Sequence, residues 1–277
     1  MVELGKLLLS HPYSISSITI LIPNFPFITG SYSSYISSVS SSFPSITFLP
    51  LPSVPLLLGD PSNYQNLQHI TYEVLRNSNP HVKKSLQSIS PVSVSAFIID
   101  FFSYSALEVS QSLNIPSYFL FTTGTSALTF FLNFPMAQTL PKCEGIIINT
   151  FEDLEVRAVE GLKKGTCLPG TPIPPIYCIG PLIANRGDSG KSKDGERHEC
   201  QSWLDSQPNR SVVYLAFGSR GTFSMEQLSE IAFGLETSGV RFLWLFRHHL
   251  VTKTMVHLLN HLNQIGSNPS QGVLGKD

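Results

Sequence analysis

Charge is what this sequence has least of. Only 13% of its residues are charged, and 18 Lys and Arg stand against 19 Asp and Glu. With neither sign in excess there is no basic field to gather nucleic acid or an anionic membrane surface, so no nucleic-acid partner is expected. Cysteine is also sparse. Cys143, Cys167, Cys178 and Cys200 form no CxxC pair, which argues against a zinc knuckle or a disulfide framework and for free thiols in a reducing compartment. No apolar run approaches the length a spanning helix needs, so membrane insertion is not expected either. The opening "MVELGKLLLSHPYS" places acidic Glu3 inside a short apolar run and offers no small-residue cleavage site, which makes it a poor signal peptide. These absences together lead us to expect a soluble, cytoplasmic protein.

What is present is apolar sequence in quantity: 42% of 277 residues, enough for one large or two ordinary domains. Short β-branched runs alternate with helical patterns, the arrangement of βαβ units on a mostly parallel sheet. Strands are expected at residues 17–22, 45–49, 94–100, 117–121, 145–149 and 176–179, continuous in apolar character as strands covered on both faces are. Helices are expected at 2–10, 65–88, 104–113, 123–132 and 151–164. The stretch "GPLIANRGDSGKSKDGE" then breaks the pattern with Gly, Pro, Ser and mixed charge and reads as an inter-domain linker. A second βα series follows, with a helix at 199–206, a strand at 211–217, a helix at 224–238 and a strand at 241–246. Only two strands are expected there before a Gly/Pro/Ser-rich tail. Two such domains imply a cleft between them, a usual place for ligands.

Three sets of residues invite a chemical reading. Asp100 ends the strand "AFIID", and open α/β sheets bind ligands outside the carboxyl ends of their strands. A helix N-cap accepting backbone N–H groups explains the same residue equally well. Gly218-Ser219-Arg220-Gly221 lies at another strand end, followed by Ser224 and Gln227 in capping-box spacing. Such a turn can cradle an anion with exposed N–H groups at a helix N-terminus, or it can be a plain strand-turn-helix connection. It is neither GxGxxG nor a P-loop. Thr122, Thr123, Gly124 and Thr125 follow a third strand end, where hydroxyls can meet a sugar or cap a helix. Among the eight histidines, His257 and His261 are spaced to share a helix face, but Leu258 stands where a metalloprotease helix needs Glu. With His248 and His249 they read as a solvated tail, and no metal is expected.

In their order along the chain, "MVELGKLLLSHPYSISSITILI", "FPSITFLPLP", "AFIIDFFSYSALEVSQSLNIPSYFLFTTGTSAL", "GIIINTFEDLE", "PIYCIGPLI" and "ECQSWLDSQPNRSVVYLAFGSRGTFSMEQLSEIAFGLETSGVRFLWLFR" resemble the plant UDP-dependent glycosyltransferases of family 1. The flavour is closest to the flavonoid, isoflavone and chalcone O-glucosyltransferases. The resemblance implies a GT-B-like α/β fold of two Rossmann-like domains with parallel sheets, the first lacking its first strand and the second incomplete. It assigns residues 1–180 to the acceptor side, 181–198 to a linker, 199–247 to a partial UDP-sugar side and 248–277 to a non-matching tail. It implies transfer of a hexose, most simply glucose, from a UDP-sugar co-substrate to a phenolic hydroxyl, with no other cofactor and no protein partner. A family His, oriented by an Asp, deprotonates the acceptor by general-base catalysis. Asp100 matches that Asp, Thr122 a residue contacting the donor sugar, and Gly218 with Ser219 the turn beside the donor phosphates.

The departures from the family carry equal information. Its catalytic His precedes the helix that begins here as "MVELGK", and His11 lies at the far end of that helix. Several dozen residues that help shape the acceptor pocket are missing around residues 139–142, and so is the long Trp-Ala-Pro-Gln to Asp/Glu-Gln donor signature. Little or no transferase activity is therefore expected. A non-catalytic small-molecule-binding remnant or a non-functional gene product is the alternative.

Overall fold

The computed structural model describes residues 1–11, 15–26, 32–64, 66–89, 94–183, 199–217, 223–246 and 272–276. The chain divides into two compact units, residues 1–190 and 191–277, and each is described by itself.

The first unit opens on helix α1 (Val2–Ser10), followed by β1 (Ile18–Ile22), α2 (Ser33–Ser42) and β2 (Ile46–Pro50). Strands β1 and β2 pair in parallel, with Ile18 opposite Ile46 and Ile22 opposite Pro50. Val2 of α1, Val39 of α2 and Ile46 of β2 are buried together. Gly5 lets α1 approach closely, since a Cβ there would lie 3.3 Å from the Ile18 side chain. Helix α2 was not expected from its sequence "SSYISSVSSS", because serine is a poor helix former. Packing of its one buried residue, Val39, supplies what propensity does not.

Helices α3 (Leu67–Asn77) and α4 (Asn79–Ser88) replace the single helix expected over 65–88. The break falls at Ser78, whose hydroxyl donates back to the Val74 carbonyl at 2.7 Å. Pro80 follows in the first turn of α4, where its missing N–H and fixed φ suit a helix start rather than an interior. Buried Glu73 of α3 accepts hydrogen bonds from the Leu57 N–H and from the Tyr64 hydroxyl, pinning the loop before α3.

The rest of the unit builds one four-stranded parallel sheet: β3 (Phe97–Asp100), β4 (Ser117–Phe121), β5 (Gly145–Ile148) and β6 (Ile176–Cys178), in that spatial order. Helices α5 (Leu107–Ser112), α6 (Thr125–Phe131) and α7 (Val156–Lys163) make the crossovers. Strand β3 is shorter than the expected 94–100, because residues 94–96 precede it as irregular backbone. The core centres on Phe119, Leu128, Ile146 and Ile148, each fully buried, with Phe101, Phe121 and Leu162 around them. Residues 135–142, where the missing segment is expected, form a 3-10 run, Pro135–Lys142, that leads within a few residues into β5.

The expected single sheet is thus two sheets. Among the described residues, strands β1 and β3 each hydrogen-bond to one neighbouring strand, and the sheets meet through packing: Leu21 of β1 and Phe97 of β3 both lie against the buried group of Leu51, Val82, Leu86, Val109 and Ile115. A pair of strands has far less cooperative support than a four-stranded sheet. We therefore expect amides of β1 and β2 to exchange with solvent at least about tenfold faster than those of β4 and β5. Equal protection in a native-state exchange experiment would contradict the division.

The second unit holds α8 (Glu199–Asp205), β7 (Val212–Leu215), α9 (Met225–Ser238), β8 (Arg241–Phe246) and β9 (Gly272–Lys276). Ser224 and Gln227 form the expected capping box, the Gln227 N–H donating to Ser224 Oγ at 3.3 Å and the Ser224 N–H to Gln227 Oε1 at 2.9 Å. Gly239, at φ 63°, closes the helix in the left-handed conformation that suits glycine. The expectation of only two strands is corrected, because β9 pairs in parallel with β8. With two apolar residues in "GVLGK", that strand is too glycine-rich for pattern reading to find.

Candidate functional site

Three strands of the four-stranded sheet end side by side. Asp100 is the last residue of β3 and stands in register opposite Leu120, while Phe121 stands opposite Ile148. Thr122 and Asn149 therefore follow their strands at the same edge as Asp100. In an open parallel sheet this is the end where ligands bind. A pocket of about 340 Å3 lies here, lined by Met1, Val2, Glu3, Tyr35, Leu120, Thr122, Asn149 and Leu182.

Asp100 plays the capping part. Its Oδ1 accepts the Phe102 N–H at 3.0 Å and so starts the 3-10 turn Phe101–Ala106. Burial raises the pKa of its carboxyl above the ordinary value, partly offset by the Phe102 N–H and by the positive Met1 amino group. No imidazole is among the groups that set this titration. His11 is at the other end of α1, about 13 Å away by helical rise, with Nδ1 3.0 Å from the Leu7 carbonyl. The two readings of Asp100, cap and site carboxylate, are compatible, because the second oxygen is not used in the cap.

Thr122 is exposed and sits on the pocket wall. Its loop is braced by two side chains that the strand patterns did not single out. Asn149 Nδ2 donates to the Thr122 carbonyl at 3.3 Å, and Asn149 Oδ1 accepts the Leu182 N–H at 2.7 Å. Glu155 reaches across from the start of α7 to the N-terminus of α6, where it accepts the Thr125 N–H at 2.6 Å and the Ser126 N–H at 2.9 Å. The Thr150 hydroxyl donates to the same carboxylate at 2.8 Å. Burial would raise the pKa of Glu155, but these donors outweigh it and hold the carboxyl at about 2. Glu155 thus occupies the anion-favouring end of α6. That end is not open to a ligand phosphate. Asn149 was open to discovery by the strand-end rule that picked out Asp100; Glu155, thirty residues from the amides it holds, was not.

Aromatic surface borders the same edge. The Phe102 ring lies edge-on to Phe131 at 5.7 Å, and Phe131 contacts Phe130 at 5.7 Å and Phe134 at 5.8 Å. Phe102, Phe130 and Phe134 are exposed. In the second unit, Gly218 and Ser219 lie outside the described residues, as do His248, His249, His257 and His261. The flanks of that turn are described: Phe217 and Phe223 meet edge to face at 4.5 Å. Among the described residues, no three His, Cys, Asp or Glu side chains are grouped to hold a metal ion, and no helix is long and apolar enough to cross a membrane.

The chain is an α/β protein with parallel sheets, and solved GT-B structures superpose on it. UGT71G1 of Medicago truncatula, complexed with UDP-glucose, matches with a TM-score of 0.82 at 28% identity, covering 100% of this chain and 68% of that one. In sequence the chain is similar to plant UDP-dependent glycosyltransferases. UDP-glycosyltransferase 88B1 of Stevia rebaudiana is 37% identical over 295 residues, and a phloretin 2'-O-glucosyltransferase of Pyrus communis is 37% identical over 304. Each comparison takes in 89% of this chain and 62% of the relative, so the chain spans less than two thirds of the length of these relatives. Against the Stevia protein, 89% of this chain is about 247 residues in 295 aligned positions. About four dozen positions of the alignment therefore face gaps in this chain. No family model matches the chain.

Proposed function

We propose that this chain is the acceptor side and part of the donor side of a glycosyltransferase that moves a hexose, most simply glucose, from a UDP-sugar to the phenolic hydroxyl of a flavonoid-like molecule. In the reaction the phenolic oxygen attacks the anomeric carbon, the bond from that carbon to the diphosphate breaks, UDP leaves, and the phenolic proton passes to a base. The observation that carries the reading is the convergence of Asp100, Thr122 and Asn149 at one edge of the sheet, with the pocket of about 340 Å3 lined by the latter two. The exposed rings of Phe102, Phe130 and Phe134 suit an aromatic acceptor. Thr122 contacts the sugar in this reading, and the turn of Gly218 and Ser219, which lies outside the described residues, serves the phosphates. Transfer needs no metal and no protein partner, and takes place in the cytoplasm.

Among the described residues, the groups that bear on the Asp100 carboxyl are an amide and an amino group, with no imidazole. Transfer by the chain as given is accordingly slow, by the roughly 100- to 10,000-fold that general-base assistance is worth. Incubation with UDP-glucose and a panel of flavonoids, followed by chromatography of the glucosides, tests both statements. Slow, UDP-glucose-dependent product is expected. Turnover equal to that of a full-length relative would refute the rate, and saturable flavonoid binding without any response to UDP-glucose would replace the enzyme with a binding protein.

A further inference from the structure

Asn149 touches both sides of the pocket mouth. Its backbone N–H donates to the Phe121 carbonyl at 3.0 Å, fixing the ends of β4 and β5 together. Its side chain then spends one donor and one acceptor in opposite directions, Nδ2 to the Thr122 carbonyl and Oδ1 from the Leu182 N–H. A carboxamide does both from separate atoms, whereas aspartate has no donor and leucine has neither group. The partners also fix the orientation of the amide, since exchanging O and N would set donor against N–H and acceptor against carbonyl.

The strap that leaves β6 is pressed onto this residue. The Ile179 N–H donates to the Ile148 carbonyl at 3.1 Å and the Gly180 N–H to the Thr150 carbonyl at 2.8 Å. Any Cβ at position 180 would lie 2.6 Å from the Asn149 carbonyl carbon and from the Thr150 nitrogen, and 2.7 Å from Asn149 Oδ1. Glycine is required here by proximity, and the contact holds Leu182 against the pocket that Thr122 and Asn149 also line.

We propose that Asn149 is the positioning residue of this site, setting the spacing between the Thr122 loop and the Leu182 strap so that the sugar-binding wall is in place before ligand arrives. The proposal rests on the reading of Thr122 as a sugar contact. Preorganisation of this kind appears as ligand affinity, because a loop already ordered loses no freedom on binding.

The test uses the full chain and two variants. Asn149→Asp keeps the acceptor for Leu182 and removes the donor to Thr122; Asn149→Leu removes both. UDP-glucose binding is read by calorimetry, corrected for the folded fraction from a urea titration, and amide exchange is read at Leu182 and at Thr123 and Gly124. Asn149→Asp is expected to weaken UDP-glucose binding about tenfold, to quicken exchange at 123–124 and to leave Leu182 protected. Asn149→Leu is expected to release both segments. Where turnover is measurable, the KM for UDP-glucose rises while kcat holds. Unchanged affinity in both variants, or a loss no larger than the loss of folded protein, would overturn the positioning role. If the wild-type chain binds no UDP-glucose, the functional reading fails instead. Exchange then decides the brace alone: release of 123–124 in Asn149→Asp supports it, and unchanged exchange at all three amides overturns it.

Discussion

Replacing Phe119 with alanine is expected to cost about 3–5 kcal/mol, as truncation of a buried aromatic typically does. Phe119 is fully buried on β4, a strand paired on both sides, and its ring meets Phe101 edge to face at 6.2 Å. The surrounding side chains are themselves held in a parallel sheet, so the cavity has little room to collapse. Against a whole-domain stability of about 5–15 kcal/mol, such a loss leaves a substantial unfolded population. Leu49 on β2 is exposed, and Leu49→Ala should change stability by about 0.5 kcal/mol or less, as surface replacements do. Urea unfolding of the two variants side by side measures the contrast. Equal midpoints would mean that the four-stranded sheet is not the core of the unit.

The second large effect belongs to Glu155. Its carboxylate takes two backbone N–H groups and one hydroxyl, and hydrogen bonds to a charged group are worth about 1.5–3 kcal/mol each, non-additively. Glu155→Ala should therefore cost about 2–4 kcal/mol, and Glu155→Gln about half of that. The pH dependence follows from the depressed pKa. A carboxyl held at about 2 in the folded chain, against an ordinary 4.5, stabilises fully above pH 4.5 and loses that contribution as pH falls toward 2. Wild type and Glu155→Gln should thus differ most at pH 7 and converge toward pH 3. A difference that stays constant across this range would show that the carboxylate's charge has no part in the clamp. Gly124 belongs to the same device, because a Cβ there would lie 2.5 Å from Glu155 Oε2.

How much of this could be read from the chain depended on where the information sat. Strands such as "SYFLF" and "GIIIN" were legible because apolar runs buried on both faces leave a local signature, and the start of α9 was legible because Ser224 and Gln227 are three residues apart. Helix α2 was hidden, since its stability comes from Val39 meeting Val2 and Ile46 rather than from its own serines. The break at Ser78 was marked by Pro80, but proline in a first helical turn and proline after a helix end look alike until the chain is folded. Asp100 and Thr122 were found by strand-end position and by resemblance. The side chains that brace the Thr122 loop, Asn149 and Glu155, work through partners up to 33 residues away, and no local pattern reports such pairs.

The division of the first unit into two sheets bears on solubility as well as on protection. An unpaired strand edge is a template for another chain, and β1 reads "ITILI", with no charge and no proline to turn a partner away. Runs of that composition drive strand-to-strand stacking when they are exposed. Among the described residues β1 pairs with β2 alone, and wherever its other edge is left open it is the stretch at which copies of the chain would adhere to one another. Adhesion of that kind depends on protein concentration and on what covers β1, not on the strength of the core.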